Sequence, residues 1–471
     1  MSSLIPKHSG LYTDLYELTM GQGYFLTGMA DRPACFDYFF REVPFKGGYV
    51  VFAGLADLLE ILEELSFSEE DAKYLKGLGF KDAFVEYLKA FRFKGRLLSV
   101  REGEVTFPLE PVVRVEGTLF ETQLIETLLL NFLNFESLIA TKASRMVLAA
   151  RGRRVVDFGL RRAQGLASTQ ASRAAVIGGV DATSNVYASY LFNLPPSGTQ
   201  AHSWIQSFPD ELSAFRKYAE LYPDDCIFLV DTYNTLKSGL PNAITVAKEL
   251  EKKGKKLVGI RLDSGDLAYL SKHAREMLDL VELHYVKIVA SNQLDEHIVK
   301  SLLDQGAPIN SFGIGTNLVT GQDSPALDGV YKLSVLDDKP RLKISENVGK
   351  TSLPGMKKIV RYTDPEGFFY ADGVLLEEEK SAEYVFHPNF PEQKSRVAHC
   401  FPESILYKVM EGGKTLTKLS VGEAAAYAKE RLAKLSPERK RFENPHVYKV
   451  GVSQKLMDLR NQIVQQHSKG S

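Results

Sequence analysis

The chain has 471 residues, 44% hydrophobic and 25% charged, with a formal net charge of −1 at pH 7. This is the composition of an ordinary globular protein, and the near-neutral charge argues against a dedicated nucleic-acid or membrane-surface binder. Its three cysteines, Cys35, Cys226 and Cys400, form no CxxC pair, so neither a disulfide framework nor a structural zinc site is expected. The N-terminus lacks the apolar run of a signal peptide and the most apolar helix candidate is too short to cross a bilayer, which predicts a cytoplasmic protein.

The first quarter of the chain mixes helical and strand-like patterns. Apolar residues at helical spacing predict a helix over 11–25, and the aromatic segment 34–41 predicts a strand. Short amphipathic helices are expected between residues 66 and 91, and alternating strands between 96 and 115. Together these patterns predict an N-terminal α+β domain over residues 1–118.

A long helical pattern at 120–150 leads into a more regular part of the chain. Short apolar segments alternate there with helical patterns, and these segments are 155–159, 174–180, 226–231, 257–263, 286–291 and 311–315. Such alternation favours parallel βα units, and continuously apolar strands indicate burial on both faces. With a further segment at 330–335, the number of strands favours an irregular (β/α) barrel over residues 119–340, and an open doubly wound sheet is the alternative.

The pattern changes again beyond residue 340. The basic stretch 343–361 contains glycines and a proline and predicts a structured loop, whereas 422–435 predicts a helix and the tail from 463 is expected to fray. We expect residues 341–471 to pack with the N-terminal domain, so that the two terminal regions build a smaller α/β domain beside the barrel.

Polar and glycine residues stand where the predicted strands end, which is where the reactive groups of a (β/α) barrel gather. They are Asp157, Phe158, Arg161 and Arg162; Gly178, Gly179 and Asp181; Thr199 and His202; Asp231 and Tyr233; Arg261, Asp263 and Asp266; Ser291 and Asn292; and Gly313, Gly315 and Thr316. Cations, carboxylates and a glycine-rich late loop suit an anionic, hydroxylated ligand that carries phosphate. Structural explanations stay open, because DSGD is also a common helix cap and paired arginines are common on surfaces.

The segment 197–203, SGTQAHS, places His202 three residues after Thr199 near the middle of the chain. Histidine can act as base, ligand or nucleophile near neutral pH, because either ring nitrogen can react. A histidine that only closes a loop is the alternative.

Nine ordered motifs resemble the nicotinate phosphoribosyltransferase family over most of the chain. They are TDLYELTM at 13–20, FFREVPFKGGY at 39–49, DFGLRRAQG at 157–165, GGVDATSNV at 178–186, GTQAHS at 198–203, DTYNTLKSGLPNA at 231–243, RLDSGDL at 261–267, FGIGTNLVT at 312–320 and KTSLPGMKKIVR at 350–361. The resemblance implies a type II phosphoribosyltransferase with a barrel-like domain, a smaller α/β domain and a head-to-tail homodimer with shared active sites.

The resemblance also implies a reaction. The family joins nicotinate to the ribose of phosphoribosyl pyrophosphate (PRPP) and releases pyrophosphate and nicotinate mononucleotide in NAD salvage. ATP hydrolysis is coupled through a phosphohistidine, so the enzyme is formally a ligase, and Mg²⁺ is expected to arrive with PRPP and ATP rather than on a protein site. The rival functions are a nicotinamide-using phosphoribosyltransferase and a catalytically silent metabolite-binding paralogue; the complete set His202, Asp231 and Asp263 argues against the latter.

Site roles follow from the same resemblance. His202 matches the phosphorylated histidine, and Asp231 matches the carboxylate that orients its ring. Phe158 and Tyr16 match the aromatic pair that sandwiches the pyridine ring, with Tyr16 donated by the partner subunit.

Further matches concern the substrate's charged groups. Arg261 with Thr199 matches the site of the pyridine carboxylate, which a guanidinium can meet bidentately. Asp263 matches the residue that holds the ribose hydroxyls, and Gly315-Thr316 matches the 5′-phosphate loop. The other substrate-binding candidates are Arg161 and Asp181. Weaker candidates for the pyrophosphate or ATP phosphates are Arg41, Lys343, Lys350, Lys357 and Lys358.

Overall fold

The structure is a computed structural model, and it describes residues 8–344 and 352–468. The chain divides into two compact units. Residues up to Thr141 together with those from Ser324 onward form one, which we call the terminal unit, and Lys142–Asp323 form the other, the central unit. Within the described ranges, no helix combines the length and the apolar character that a membrane span requires.

The N-terminal part of the terminal unit forms the mixture of helices and strands that its sequence predicts. Its strands are β1 (Pro33–Phe40), β2 (Val50–Val51), β3 (Arg96–Ser99), β4 (Val105–Thr106) and β5 (Val113–Thr118). Its helices are α1 (Leu15–Leu26), α2 (Leu55–Glu64), α3 (Glu69–Gly77), α4 (Asp82–Ala90), α5 (Leu119–Leu124) and α6 (Glu126–Ala149), the last of which contains the unit boundary. Helix α3 starts at a capping box in which Ser68 and Asp71 each accept the other's backbone N–H, so two otherwise unpaired donors are satisfied.

The central unit alternates strands and helices. Its strands are β6 (Arg154–Asp157), β7 (Ala182–Thr183), β8 (Ile227–Leu229), β9 (Gly259–Leu262), β10 (Lys287–Ser291) and β11 (Ser311–Ile314). Its helices are α7 (Ala167–Ile177), α8 (Val186–Phe192), α9 (His202–Gln206), α10 (Glu211–Leu221), α11 (Leu240–Lys252), α12 (Leu267–Asp279), α13 (Glu296–Asp304) and α14 (Thr316–Val319). The side chains of Asp210, Asp266 and Asp295 cap α10, α12 and α13, so the DSGD sequence does provide a helix cap.

The strands of the central unit form one parallel sheet in the order β7-β6-β11-β10-β9-β8. Ser291 of β10 pairs with Gly313 of β11, which in turn pairs with Val156 of β6. The carboxyl ends of the strands therefore lie along one edge of the sheet. In the described part of the chain β7 and β8 are the outer strands, so hydrogen bonds do not close this sheet, and the fold it establishes is mixed α/β.

The segment 174–180 is not the strand that its sequence predicted. Most of it lies in helix α7, and β7 occupies the corresponding place in the sheet. Alanine recurs through α7 and has the highest helix propensity, and nearly every residue from Ser168 to Ile177 is buried. A helix that is buried all round shows no amphipathic period, which is why it resembled a buried strand.

The C-terminal part of the terminal unit is mostly β-structure. Its strands are β12 (Gly329–Leu336), β13 (Lys339–Pro340), β14 (Lys357–Thr363), β15 (Phe369–Leu376), β16 (Tyr384–Phe386), β17 (Lys394–Arg396), β18 (Phe401–Ser404), β19 (Tyr407–Glu411), β20 (Lys414–Thr415) and β21 (Lys449–Val452). Its helices are α15 (Val421–Ala433) and α16 (Gln454–Ser468). The tail predicted to fray from residue 463 is therefore helical as far as Ser468.

Strands from both ends of the chain share one sheet of the terminal unit, in the order β13-β12-β1-β5-β3-β19-β20. A second sheet has the order β17-β16-β21-β15-β14-β18, and β2 pairs with β4. The segment 330–335, predicted as a barrel strand, instead lies in β12, where Tyr331 pairs antiparallel with Tyr38 of β1. The central unit ends at residue 323, whereas the sequence predicted a domain boundary at residue 340.

A buried charge cluster joins the two chain segments of the terminal unit. The fully buried Glu104 carboxylate accepts hydrogen bonds from Arg361 Nη1 (2.5 Å), Arg431 Nε (2.8 Å) and Tyr427 Oη (2.5 Å). Arg361 also pairs with buried Asp372, so the two arginines of this cluster each have a carboxylate partner.

We predict that Glu104→Gln lowers the free energy of unfolding by about 3–5 kcal/mol, because it removes the buried negative charge that Arg361 and Arg431 share. Urea unfolding measures the effect. The control is Glu411→Gln, which breaks the half-exposed ion pair between Arg96 and Glu411 and should change the free energy of unfolding far less, because solvent screens exposed charges. Equal destabilisation by the two substitutions would contradict the prediction.

Candidate active site

Arg261 lies at the centre of the residues that the parallel sheet brings together. Its side chain is mostly buried, and its guanidinium donates from Nε to Ser291 Oγ (2.8 Å), from Nη1 to Thr199 Oγ1 (2.9 Å) and from Nη2 to Asp263 Oδ1 (2.6 Å). Its Cζ atom lies 5.3 Å from the centre of the Phe158 ring, within cation–π distance. A guanidinium has five N–H groups, so two remain for a ligand.

Asp263 follows β9 directly and is held ionised. Burial would raise the pKa of its carboxyl, but the hydrogen bond from Ser291 and the charge of Arg261 outweigh that effect and lower the pKa below its ordinary value. Its second oxygen, Oδ2, lies 3.8 Å from His202 Nε2. The carboxylate is thus an ionised group shared between the arginine and the histidine.

The half-exposed His202 is the first residue of α9, and its other ring nitrogen, Nδ1, lies 3.1 Å from Thr232 Oγ1. Among the described residues Asp231 makes no hydrogen bond to this ring, and its predicted role in orienting the ring stays a prediction. Asp231 Oδ2 instead accepts from the Asp263 N–H (2.8 Å) and the Ser264 hydroxyl (2.6 Å). The turn after β9 offers these two donors to the end of β8, and Oδ1 is buried without a hydrogen-bond partner among the described residues.

Phe158 follows β6, and its ring packs directly on the backbone of β11. A Cβ atom at Gly313 would lie 2.4 Å from that ring, so only glycine fits there. Gly315, which precedes α14, would place a Cβ 3.0 Å from the Phe158 carbonyl oxygen. Thr316 is exposed at the start of α14. Part of the glycine-rich pattern is therefore explained by packing against Phe158.

Asp181 does not lie at the carboxyl ends of the strands. It precedes β7, and its carboxylate accepts the backbone N–H of Val155 near the start of β6 (2.8 Å). Because 174–180 is mostly helical, Asp181 comes before a strand rather than after one, and its substrate-binding role stays a prediction from sequence. Arg161 is exposed in the loop after β6, and its guanidinium makes no hydrogen bond to a described residue.

Tyr16 belongs to the terminal unit, where it lies on α1 with 44% of its surface exposed. It lines a cleft of about 360 Å³ together with Asp14, Thr127 and Asn131. The next residue, Glu17, is fully buried and accepts from the backbone N–H (2.8 Å) and hydroxyl (2.6 Å) of Thr127. Burial raises the pKa of Glu17 to about 7. These bonds fix α1, and with it Tyr16, on the start of α6.

Two of the weaker phosphate candidates are already engaged within the terminal unit. The buried Lys357 ammonium lies 2.7 Å from the Asp37 carboxylate, and the Lys358 ammonium donates to the carbonyl oxygens of Glu377 and Glu379. Neither side chain is therefore free to bind a phosphate, contrary to the sequence-based expectation.

The other phosphate candidates differ from one another. Arg41 follows β1, and its Nε is buried without a hydrogen-bond partner in the described residues. Lys343 is exposed, with its backbone N–H bonded to Ser352 Oγ (3.0 Å). Lys350 lies outside the described residues.

Comparisons with known proteins match most of the chain to one family. Family models match residues 11–134 (nicotinate phosphoribosyltransferase N-terminal domain), 153–366 (nicotinate phosphoribosyltransferase family) and 356–460 (nicotinate phosphoribosyltransferase C-terminal domain). The chain is 42% identical to the nicotinate phosphoribosyltransferase of Bacillus subtilis over 458 residues, which cover 94% of this chain and 93% of the relative. The chain belongs to the nicotinate phosphoribosyltransferase family.

Two further relatives extend over nearly the whole chain. A nicotinate phosphoribosyltransferase of Caenorhabditis elegans is 36% identical, over 95% of this chain and 92% of the relative. The crystal structure of human nicotinic acid phosphoribosyltransferase superimposes with a TM-score of 0.85 at 32% identity, covering 96% of this chain and 99% of that one.

Within this family fold, the structure brings together Arg261, Asp263, Thr199, His202 and Phe158. The sequence reasoning missed Thr232 as the neighbour of the histidine and Ser264 as a donor to the neighbouring carboxylate. Both are next to residues that were identified, but no spacing rule indicates which hydroxyl will turn inward.

Proposed function

We propose that this chain transfers the phosphoribosyl group of PRPP to nicotinate, which yields nicotinate mononucleotide and pyrophosphate in NAD salvage. The observation that carries the proposal is the guanidinium of Arg261, fixed by three side chains and lying over the Phe158 ring. A flat aromatic ring that bears a carboxylate satisfies both features. The names and coverage of the relatives support the same reaction.

The arginine favours the acid over the amide. Its two remaining N–H groups can meet a carboxylate bidentately, and a charge-assisted pair of this kind is roughly twice as strong as a neutral one. The amide of nicotinamide is neutral, and its NH₂ would direct donors at a group that has only donors. Thr199, whose hydroxyl accepts from Arg261, completes the carboxylate site.

Asp263 is proposed to hold the ribose hydroxyls, and Gly315-Thr316 with Arg161 to bind phosphate. Departure of pyrophosphate builds positive charge on the ribose ring, and the ionised Asp263 is fixed where it can stabilise that charge. Of the weaker phosphate candidates, Arg41 and Lys343 are retained, and Lys350 stays a prediction from sequence.

His202 is proposed as the nucleophile toward ATP. A bond would form between a ring nitrogen and the γ-phosphorus as the bond to ADP breaks, giving a phosphohistidine. Both ring nitrogens have a polar neighbour, Thr232 on one side and Asp263 on the other. The role of Asp231 in orienting the ring stays a prediction from sequence, and its hydrogen bond positions the turn that carries Asp263.

The donor set fits Mg²⁺ that is delivered by the substrates. Mg²⁺ commonly binds through one or two carboxylates plus substrate phosphates, and Asp231 has a buried oxygen without a partner among the described residues. When bound, the ion neutralises phosphate charge. Among the same residues no cluster of three or more metal-ligating side chains occurs.

The proposal includes the architecture and assembly that the family resemblance implies. The parallel sheet, extended beyond β7 by a bridge between Thr183 and Pro196, would form an irregular (β/α) barrel, with the terminal unit as the second domain. The terminal unit is the larger of the two compact units, not the smaller domain that the sequence predicted. Exposed Tyr16 and Leu15 on α1 would be covered by a second copy, giving a cytoplasmic homodimer with shared active sites.

We expect Arg261→Ala to raise the KM for nicotinate ten- to a hundredfold, because a charge-assisted pair contributes about 1.5–3 kcal/mol. Product formation from nicotinate, PRPP and Mg²⁺, with and without ATP, is followed by chromatography, with nicotinamide as the comparison substrate. Arg216→Ala, which removes an exposed arginine paired with Glu249, is the control. An unchanged KM in folded Arg261→Ala, or faster turnover of the amide, would overturn the assignment.

His202→Asn should abolish ATP hydrolysis and the acid-labile, base-stable phosphate that labelled ATP leaves on the protein. Slow synthesis uncoupled from ATP is expected to remain, because pyrophosphate is already a good leaving group. His273→Asn, which alters an exposed histidine on α12, should keep wild-type labelling. Wild-type labelling of His202→Asn would mean that His202 only closes its loop.

Tyr16→Ala and Phe158→Ala should each be inactive alone and recover partial activity when mixed. In a mixed dimer with shared sites, one of the two sites receives both aromatic rings. Subunit exchange is verified by tag capture before the assay. If verified mixed dimers stay inactive, Tyr16 acts within its own chain.

A further inference from the structure

Ser291 is a buried polar residue between two groups that the proposed function assigns to different substrates. It is the last residue of β10, and only 2% of its surface is exposed. Its hydroxyl accepts from Arg261 Nε (2.8 Å) and donates to Asp263 Oδ1. The same side chain therefore contacts Arg261, which is proposed to bind nicotinate, and Asp263, which is proposed to bind the ribose.

The chemistry of the partners fixes the direction of both bonds. The guanidinium of Arg261 can only donate, and the ionised carboxylate of Asp263 can only accept. The single proton of Ser291 then points to Asp263, because the other acceptor, the Leu262 carbonyl oxygen, is neutral and lies farther away at 3.4 Å, while a lone pair receives the arginine. A rotating hydroxyl is in this way held in one orientation by two charged groups.

The backbone on both sides of Ser291 is also held. The β9–β10 register pairs Val289 with Arg261 and Ala290 with Leu262, so Ser291 is level with Asp263. Immediately afterwards, Asn292 and Gln293 adopt left-handed conformations, with φ of 88° and 42°. Buried Asn317 secures this turn by donating to the carbonyl oxygens of Gln293 (3.0 Å) and Leu294 (3.1 Å).

We propose that Ser291 is a positioning residue that sets the orientation of the Arg261 guanidinium and of the Asp263 carboxylate together, and so couples the nicotinate site to the ribose site. The proposal rests on the proposed function of those two residues. Ser291 acts through them and is not itself assigned a contact with substrate.

The test is Ser291→Ala, with Ser271→Ala as the matched control. Ser271 is a fully buried serine on α12 whose hydroxyl donates to the carbonyl oxygen of Ala268 (3.2 Å), so its loss removes a buried hydroxyl away from the charged pair. We expect the KM values of Ser291→Ala for nicotinate and for PRPP to rise about tenfold each, the order expected for a lost hydrogen bond to a charged group. The KM values of Ser271→Ala should stay at the wild-type level.

A pH profile separates positioning from a purely structural role. The charged or titratable side chains near Asp263 are those of Arg261, His202 and Asp231, and Ser291 helps to lower the pKa of Asp263. Without the serine proton, the acidic limb of kcat/KM for PRPP should move to higher pH. Ser271→Ala should leave that limb in place.

Several outcomes would overturn the proposal. One is a folded Ser291→Ala with the KM values and pH profile of Ser271→Ala. If Ser291→Ala does not fold, Ser291→Cys, which is close in size and a weak donor, takes its place; failure of both to fold would make Ser291 a determinant of folding and end the proposal. If Arg261→Ala itself leaves the KM for nicotinate unchanged, the proposed function has failed, whereas a large effect there with none at Ser291 refutes the positioning role alone.

Discussion

The parallel register of the central unit is the constraint on which the candidate site depends. Because all its paired strands run in one direction, Phe158, Arg261 and Ser291 reach the same edge although they are far apart in sequence. No loop has to be ordered to bring these side chains together. The candidate site therefore lies on a rigid, hydrogen-bonded sheet, and rigid elements hold binding side chains more precisely than loops do.

The charges around Arg261 then determine what kind of ligand this edge of the sheet attracts. Arg261 has an ionised partner in Asp263 and neutral acceptors in Thr199 and Ser291, so it is held without being fully neutralised. A second carboxylate at the same distance would cancel the charge that a carboxylate-bearing ligand needs. The hydroxyl acceptors fix the geometry of the guanidinium and leave its affinity for anions intact.

Sequence patterns predicted much of this arrangement, and their failures have physical causes. The strands that end near Asp157, Asp231, Asp263 and Ser291 were identified because short apolar runs stand between clear helical patterns. Helix α7 was mistaken for a strand since its burial on all sides removes the helical period, and Asp181 was misplaced as a consequence. Strand β12 was placed in the wrong sheet, because an apolar strand does not reveal its partner. Local sequence therefore predicts the helices and strands more reliably than it predicts which strands pair with one another.

The neighbours of His202 show why a motif match does not fix a hydrogen bond. A carboxylate beside a ring nitrogen dictates the tautomer, but the hydroxyl of Thr232 can donate or accept and dictates nothing. On the other side of the ring, Asp263 Oδ2 lies 3.8 Å from Nε2. The surroundings of the ring therefore depend on the position of Asp263, which Arg261, Ser291 and Asp231 maintain through hydrogen bonds.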